Sequence, residues 1–220
     1  MQSNLLHETA KNISIPLAKM FNISMETMKL PESWKEATVT PLHKKGLKHL
    51  VENYRPISLA SILCKTMEKF IRDCILDHME RHNLYFTTHQ HGFRKGRSCE
   101  TQLIEVLDDW TEQLDNRNAI DTIYLDFQKA FDTVPHKRLI NKLQSYGICG
   151  NILGWIRDFL ANRKQKVVIN GTGSDWTTVT SGIPQGSVLC PILFTIYINV
   201  LPDVVQNIAK LFADNTKVLQ

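Results

Sequence analysis

The sequence lacks the cysteine pattern of a metal-binding or disulfide-stabilised protein. Its five cysteines, at positions 64, 74, 99, 149 and 190, include no close pair and no Cys-x-x-Cys motif. This set excludes the common zinc sites and predicts free thiols in a reducing, intracellular compartment. Nucleus and cytoplasm both fit.

The sequence also shows no pattern typical of a secretory or membrane-spanning segment. The first residues carry no basic region followed by an apolar core, so no signal peptide is predicted. The most apolar stretch, 188–201, contains Pro191 and Asn199 and is shorter than the roughly 20 residues that span a bilayer. We therefore expect no membrane partner.

What the sequence does contain is the balance of a globular domain. Hydrophobic residues make up 43% of the 220 residues and charged residues 22%, which argues against disorder. The formal net charge is +4, so a polyanionic partner is permitted without being specified. No internal repeat or low-complexity segment interrupts the chain.

Hydrophobic periodicity predicts an α+β fold, because the helices and strands do not alternate regularly. Helices are predicted at 5–29, 61–82, 98–116, 136–145, 150–161 and 188–201. Strands are predicted at 38–42, 119–125, 165–169, 175–179, 208–213 and 216–219. Ser98 is the expected N-cap of the helix at 98–116. The residues expected on the buried face of that helix are Leu103, Val106, Leu107, Trp110 and Leu114. Phe70 is expected on the buried side of the helix at 61–82.

Two aspartates lie where predicted strands end. Asp126 follows an apolar strand, and Asp214 begins an Asp214-Asn215 turn between the last two strands. Folding that brings them together would create a site for divalent metal, and two Mg²⁺ ions suit in-line nucleotidyl transfer. On spacing alone, however, the alternative that both aspartates only cap turns is the favoured one.

Seven segments of the sequence carry a more specific signal. In chain order they read PESWKEA (31–37), PLHKKG (41–46), NYRPISL (53–59), QHGFRKGRS (90–98), LDFQKAFD (125–132), GIPQGSVL (182–189) and FADN (212–215). Together they resemble the reverse transcriptase domain of non-LTR (LINE-like) retrotransposons over about 31–220. The resemblance implies an RNA-directed DNA polymerase that takes an RNA template, a DNA primer and dNTP, and uses two Mg²⁺ ions for which Mn²⁺ can substitute.

The resemblance also implies a right-hand polymerase fold without a thumb. Residues 1–30 would be an added helical element, 31–116 the fingers, and 117–220 part of the palm.

The resemblance implies a role for each matching residue. The catalytic set comprises Asp126, Asp214 and Asn215, and the metal ligands are Asp126, the Phe127 carbonyl and Asp214. The expected dNTP-binding residues are Lys44, Lys45, Arg55, Phe131, Gln185 and Gly186, with Phe131 as a steric gate against ribose. Arg94, Lys95 and Arg97 flank glycines in a loop suited to template phosphates. Ordinary core packing for Phe131 and solvated loops for the basic residues stay open as alternatives.

The sequence departs from the family at position 215, where asparagine replaces an aspartate. One of three carboxylates is lost, and a hard dication favours that charge, so we expect strongly depressed activity. Without a thumb we expect weak, salt-sensitive binding to an RNA–DNA hybrid. A non-catalytic nucleic-acid-binding remnant and a functionless translated relic are therefore the competing interpretations.

Overall fold

The computed structural model describes residues 8–84, 89–94, 96–202 and 208–219, without the side chains of 208 and 219. The helices are α1 (Ala10–Thr27), α2 (Glu32–Lys35), α3 (Ile62–Arg81), α4 (Cys99–Asp115), α5 (His136–Ser145), α6 (Gly150–Leu160) and α7 (Cys190–Ile198). The strands are β1 (Glu36–His43), β2 (Tyr54–Leu59), β3 (Thr122–Asp126), β4 (Arg163–Ile169), β5 (Thr172–Gly173), β6 (Thr177–Val179), β7 (Ile208–Phe212) and β8 (Asn215–Leu219). This mixture confirms the α+β prediction. Across the described segments, no helix has the length and apolar character to cross a membrane.

The chain forms two compact units, each built from separate stretches of sequence. The first unit comprises Met1–His78 and Phe131–Cys190, and the second comprises Met79–Ala130 and Pro191–Gln220. The division at 31–116 and 117–220 stays a prediction.

The first unit contains a sheet in the order β2-β1-β4-β5, with β6 also paired to β4. Strand β1 runs antiparallel to β2 and parallel to β4. An Asn170-Gly171 turn closes the β4–β5 hairpin, with Asn170 at φ 49° and Gly171 at φ 83°. Both angles are the left-handed values that a tight hairpin turn requires.

Helices α5 and α6 form the core of the first unit. Leu139, Leu143, Trp155, Ile156 and Phe159 are each at most 1% exposed. Their spacing places them on one stripe of each helix, which is why both helices were predictable.

Helix α1 packs on α6, so the N-terminal element is an integral part of this core. Trp155 Nε1 donates to Ser24 Oγ at 3.0 Å. A Cβ at Gly154 would lie 2.3 Å from the Met28 sulfur, so α1 approaches α6 where α6 has no side chain.

Asp158 joins the segment after α1 to α6. Its carboxylate accepts from the Leu30 backbone N–H at 2.8 Å and pairs with Lys35 at 3.0 Å. Burial alone would raise the pKa of Asp158, but the Leu30 hydrogen bond and Lys35 outweigh it and hold the pKa below its usual value.

The second unit contains an antiparallel sheet in the order β3-β8-β7. Its core comprises Ala209, Leu211 and Val218, with Ile198 and Leu201 packed against them. Residues 89–91 run along β7: His91 N–H donates to Leu211 O at 2.9 Å, and Leu211 N–H donates to His89 O at 2.8 Å.

Helix α4 begins as predicted but faces a different way. Ser98 and Thr101 form a reciprocal capping box at its N-terminus. The predicted interior is wrong for Leu103, Leu107 and Leu114, which are 45%, 54% and 63% exposed.

Lys210 explains the orientation of α4. It lies on β7 and is 8% exposed, so its ammonium needs anionic partners. Glu105 and Asp109 of α4 supply them, at 3.3 and 3.2 Å. Pairing this buried cation turns a polar stripe of the helix toward the sheet.

A second burial prediction, for Phe70 on α3, is also wrong. Its ring is 58% exposed. It contacts the Phe21 ring, with the two centroids 6.1 Å apart.

Candidate active site

The second unit brings the predicted catalytic residues together. Asp126 is the last residue of β3 and lies directly opposite Asn215, the first residue of β8. The predicted Asp214-Asn215 turn is wrong by one position. Phe212 pairs with Asn215, so the turn consists of Ala213 and Asp214, and Asn215 already belongs to the strand.

The donor groups of this site suit a hard divalent cation. Asp126 and Asn215 are exposed and Asp214 is half-buried, so solvent reaches all three. Phe127, whose carbonyl was the predicted additional ligand, follows Asp126 at the strand end and is 42% exposed. Two carboxylates and an amide offer the oxygen ligands that Mg²⁺ prefers, since protein sites for Mg²⁺ use one or two carboxylates and leave positions for water and phosphate. Among the described residues no three acidic, histidine or cysteine side chains form a metal group.

The turn that carries Asp214 is held from one side by the 90–92 segment. Gln90 is fully buried, and its side-chain oxygen accepts from the backbone N–H groups of Gly92 at 2.7 Å and Ala213 at 3.1 Å. Ala213 has φ 53°, a left-handed value that is unusual for alanine.

The predicted template-binding loop is only partly described. Lys95 lies outside the described residues, and Arg94 is half-buried. Arg97 Nη1 donates to Glu105 Oε1, so this guanidinium is engaged within the protein. A phosphate contact by Arg94, Lys95 or Arg97 stays a prediction.

Glu105 is the centre of this polar cluster. Its Oε2 lies 3.1 Å from His91 Nε2 and 3.3 Å from Lys210 Nζ. Burial would raise the pKa of Glu105, but its cationic and hydrogen-bonding neighbours, His91 first, outweigh burial and hold the pKa below its usual value.

Burial acts in the opposite direction on His91. It lowers the pKa of this imidazole, and the nearby Glu105 offsets that only in part.

The basic residues expected at the triphosphate lie in the first unit. Lys44 and Lys45 follow β1, and Arg55 is the second residue of β2, paired with Leu42. All three side chains are exposed. The β1–β2 hairpin thus places them at one end of the sheet.

The loop at 182–189 also lies in the first unit and contacts this hairpin. Gln185 O accepts from Ser58 N–H on β2 at 2.8 Å, and Phe131 O accepts from Ile183 N–H at 2.8 Å. A Cβ at Gly186 would lie 3.0 Å from Ser58 O, and φ there is 98°. Phe131 is half-buried.

Two further residues support this loop and were not predicted as site residues. Asp132 Oδ1 accepts from Gln185 Nε2 at 2.9 Å. Glu68 of α3 is fully buried, and its Oε2 accepts from the Val188 and Leu189 N–H groups at 2.7 and 3.1 Å. Burial raises the pKa of Glu68 although both backbone hydrogen bonds lower it. The sequence signal that could have identified Glu68 as buried is its helical spacing, since it lies on the same face of α3 as the buried Cys64, Ile71 and Ile75.

Comparison with known sequences identifies the family. The family model described as reverse transcriptase (RNA-dependent DNA polymerase) matches residues 42–219. A probable RNA-directed DNA polymerase from transposon BS of Drosophila melanogaster is 32% identical over 187 residues, covering 84% of this chain and 20% of the relative. The RNA-directed DNA polymerase from mobile element jockey of the same species is 30% identical over 212 residues, covering 92% and 23%. The chain thus spans about a fifth of the length of these curated relatives.

Solved structures share the fold at much lower sequence identity. Apo telomerase from Candida tropicalis, truncated from its C-terminal domain, aligns with a TM-score of 0.62 at 11% identity, covering 87% of this chain and 44% of that one. Telomerase from Candida albicans, in complex with a fragment of telomeric RNA, gives 0.58 at 12% identity, covering 87% and 39%. The chain belongs to the reverse transcriptase (RNA-dependent DNA polymerase) family, and its relatives confirm the predicted resemblance to the domain of non-LTR retrotransposons.

Proposed function

We propose that this domain performs RNA-directed DNA synthesis, with the primer 3′-hydroxyl attacking the α-phosphate of a dNTP and pyrophosphate leaving. The observation that carries the proposal is the register pair of Asp126 and Asn215, with Asp214 next to it in the turn. This pairing joins two motifs about 90 residues apart at one strand end, as a carboxylate site for divalent metal requires.

The metal site and the nucleotide site divide the chemistry between them. Asp126, Asp214 and the Phe127 carbonyl would hold two Mg²⁺ ions, or Mn²⁺ in their place. Metal held there would supply activation of the primer hydroxyl and neutralisation of the triphosphate charge.

The predicted roles of the nucleotide-binding residues follow their chemistry. Lys44, Lys45 and Arg55 bind the triphosphate, as point charges for lysine and a bidentate fork for arginine. Phe131 excludes a ribose 2′-hydroxyl. Gln185 and Gly186 lie beside the nascent base pair, where glycine permits close approach.

We also propose the assignment of these parts to a polymerase hand. The β1–β2 hairpin with its basic residues belongs to the fingers, and the β3-β8-β7 sheet with its carboxylates belongs to the palm. RNA template and DNA primer are the proposed partners, with Arg94, Lys95 and Arg97 on the template backbone.

Asn215 favours a second candidate function. An amide oxygen can bind Mg²⁺ but brings no negative charge, and two dications at one site need charge. A domain that binds nucleic acid while turning over slowly or not at all is the alternative that this residue supports.

Primer extension on an RNA template tests both functions. The 220-residue chain is compared with Asn215→Asp and Asp126→Ala, with Mg²⁺ and then Mn²⁺. We expect Asn215→Asp to extend primer at least about 100-fold faster than the wild-type chain, because it restores the third carboxylate. Asp126→Ala should abolish whatever extension the wild-type chain shows.

The outcomes separate the interpretations. Equal rates for the wild-type chain and Asn215→Asp would contradict the proposed effect of Asn215. Extension that survives Asp126→Ala would overturn the metal site. Hybrid binding without extension by any variant would favour the non-catalytic function.

A further inference from the structure

We infer that Gln90 is a positioning residue for the metal-binding carboxylate Asp214, acting through the backbone of the hairpin turn. The inference rests on the proposed role of Asp214 as a metal ligand. It assigns a function to the first half of the 90–98 motif, of which only the basic residues were considered, for template binding.

The contact is direct and specific to one acceptor. Gln90 Oε1 accepts from Gly92 N–H at 2.7 Å and from Ala213 N–H at 3.1 Å. Gln90 is fully buried, so water does not compete for these donors. A buried N–H that loses its acceptor destabilises the folded state, because no water replaces the hydrogen bond. The Ala213 amide therefore depends on this side chain.

Ala213 needs external support because of its backbone angle. Its φ of 53° lies in the left-handed region, which alanine adopts only with strain. Gln90 fixes the peptide N–H of this strained residue, and Asp214 is the next residue along the chain. The direction in which the Asp214 carboxylate leaves the turn is therefore set by the hydrogen bond from Ala213 N–H to Gln90.

Gly92 allows the two segments to approach each other. A Cβ at this position would lie 2.4 Å from Ala213 N, so any other residue would push the turn away. The hydrogen bonds of residues 89–91 along β7 hold the same segment in register with Leu211. The hairpin is thus fixed along one strand and at its turn.

Two measurements on the full chain test the inference. The first is hydrogen exchange of the Gly92 and Ala213 amides, followed by NMR. The second is Mn²⁺ affinity, measured from the electron paramagnetic resonance signal of the free ion. Both are made on Gln90→Leu, Gln90→Glu and the matched control Gln102→Leu, and repeated in the Asn215→Asp chain. Gln102 is also a buried glutamine of the second unit, 3% exposed.

We expect Gln90→Leu to expose both amides to exchange and to weaken Mn²⁺ binding about tenfold or more, as outer-shell partners of metal ligands do. Gln90→Glu keeps an acceptor oxygen and should retain amide protection and most of the affinity. Gln102→Leu should change neither measurement. Retained Mn²⁺ affinity in Gln90→Glu, which keeps the acceptor oxygen, distinguishes a positioning role of Gln90 from a general effect on stability.

The failure of this inference differs from failure of the proposed metal site. If Asp126→Ala and Asp214→Ala abolish Mn²⁺ binding while Gln90→Leu leaves it unchanged, the positioning role is overturned. If neither aspartate substitution affects Mn²⁺, the metal site is overturned and Gln90 has no role in metal binding. If hydrogen exchange at Ala213 is unchanged in Gln90→Leu, the Gln90 side chain does not protect this amide and the inference is overturned. If Gln90→Leu does not fold, loss of amide protection in Gln90→Glu overturns the inference instead.

Discussion

Gly182 shows how one residue without a side chain fixes the loop that carries Gln185. A Cβ there would lie 2.6 Å from Asp132 O and 2.7 Å from Asp132 Cα, and φ is 86°. The loop therefore lies directly on the backbone of Asp132, whose carboxylate orients Gln185. Backbone strain and collision both oppose any other residue.

We expect Gly182→Ala to destabilise the chain by about 3 kcal/mol, because the positive φ and the backbone collision act together. Gly171→Ala is the matched control: its φ is 83°, but nothing lies within 4 Å of an added Cβ. It should lose only about 1 kcal/mol. Urea denaturation measures both, and equal losses would contradict the collision.

At the same scale, sequence reasoning proposed the residues that would bind ligands and missed those that hold these residues in place. Asp126 and Asp214 follow strands in recognisable motifs, so their meeting was predictable. Gln90 and Glu68 act by accepting backbone N–H groups from segments far along the chain. A sequence does not show which amide a buried side chain will face, so these partners required the structure.

Among the elements, the connection after α1 depends on a single carboxylate. Asp158 of α6 pairs with Lys35, whose side chain is 5% exposed. Removing one member of a buried pair leaves the other charge uncompensated. The packing of α1 and α2 on the first unit therefore depends on the ionised form of Asp158.

We expect Asp158→Asn to lower the free energy of unfolding by about 3 kcal/mol at pH 7. The folded pKa of Asp158 lies below its ordinary value of about 3.9. Its contribution is therefore present above that pH and is lost as the pH falls through the folded pKa.

Denaturation at pH 6 and at decreasing pH below 4 measures this effect. Asp158→Asn should show a flatter pH dependence in that range. The control is Asp175→Asn, at an exposed aspartate of the β5–β6 connection. A pH profile equal to that of the wild-type chain would refute the assignment.

Helices with a clear apolar stripe were predictable from the sequence. Elements whose position or orientation depends on contacts with distant residues were not. Helix α5 occupies the predicted 136–145, because its apolar residues alone decide its buried face. Strand β2 was not predicted. Its Pro56 disfavours a strand, yet β2 lies at one end of its sheet order, where proline is tolerated. The orientation of α4 was missed because Lys210, more than 90 residues later, decides it.

For the whole molecule, the small excess of positive charge limits nucleic-acid binding. The net charge is +4, and Arg97 is engaged with Glu105. A net charge this small gives little long-range attraction to a polyanion, so binding should be weak and governed by counterion release at local phosphate contacts.

We expect binding to an RNA–DNA hybrid to weaken roughly 40-fold between 50 and 200 mM salt, as for about three phosphate contacts. Arg94→Ala with Lys95→Ala should flatten this salt dependence. The control pair is Lys137→Ala with Arg138→Ala, two exposed cations of α5. Fluorescence anisotropy measures both, and nanomolar affinity at physiological salt or equal slopes would contradict the prediction.

The pairing of β3 with β8 has a consequence during synthesis. About 90 residues separate Asp126 from Asn215. At translation rates of roughly 5–20 residues per second, the ribosome needs about 5–20 s to make them. Throughout that interval β3 has no β8 to pair with, and its Ile123 and Leu125 are 53% and 41% exposed even in the finished fold. The nascent chain therefore exposes an apolar strand without its β8 partner before Asp214 has been synthesised, and an open strand edge of this kind promotes aggregation.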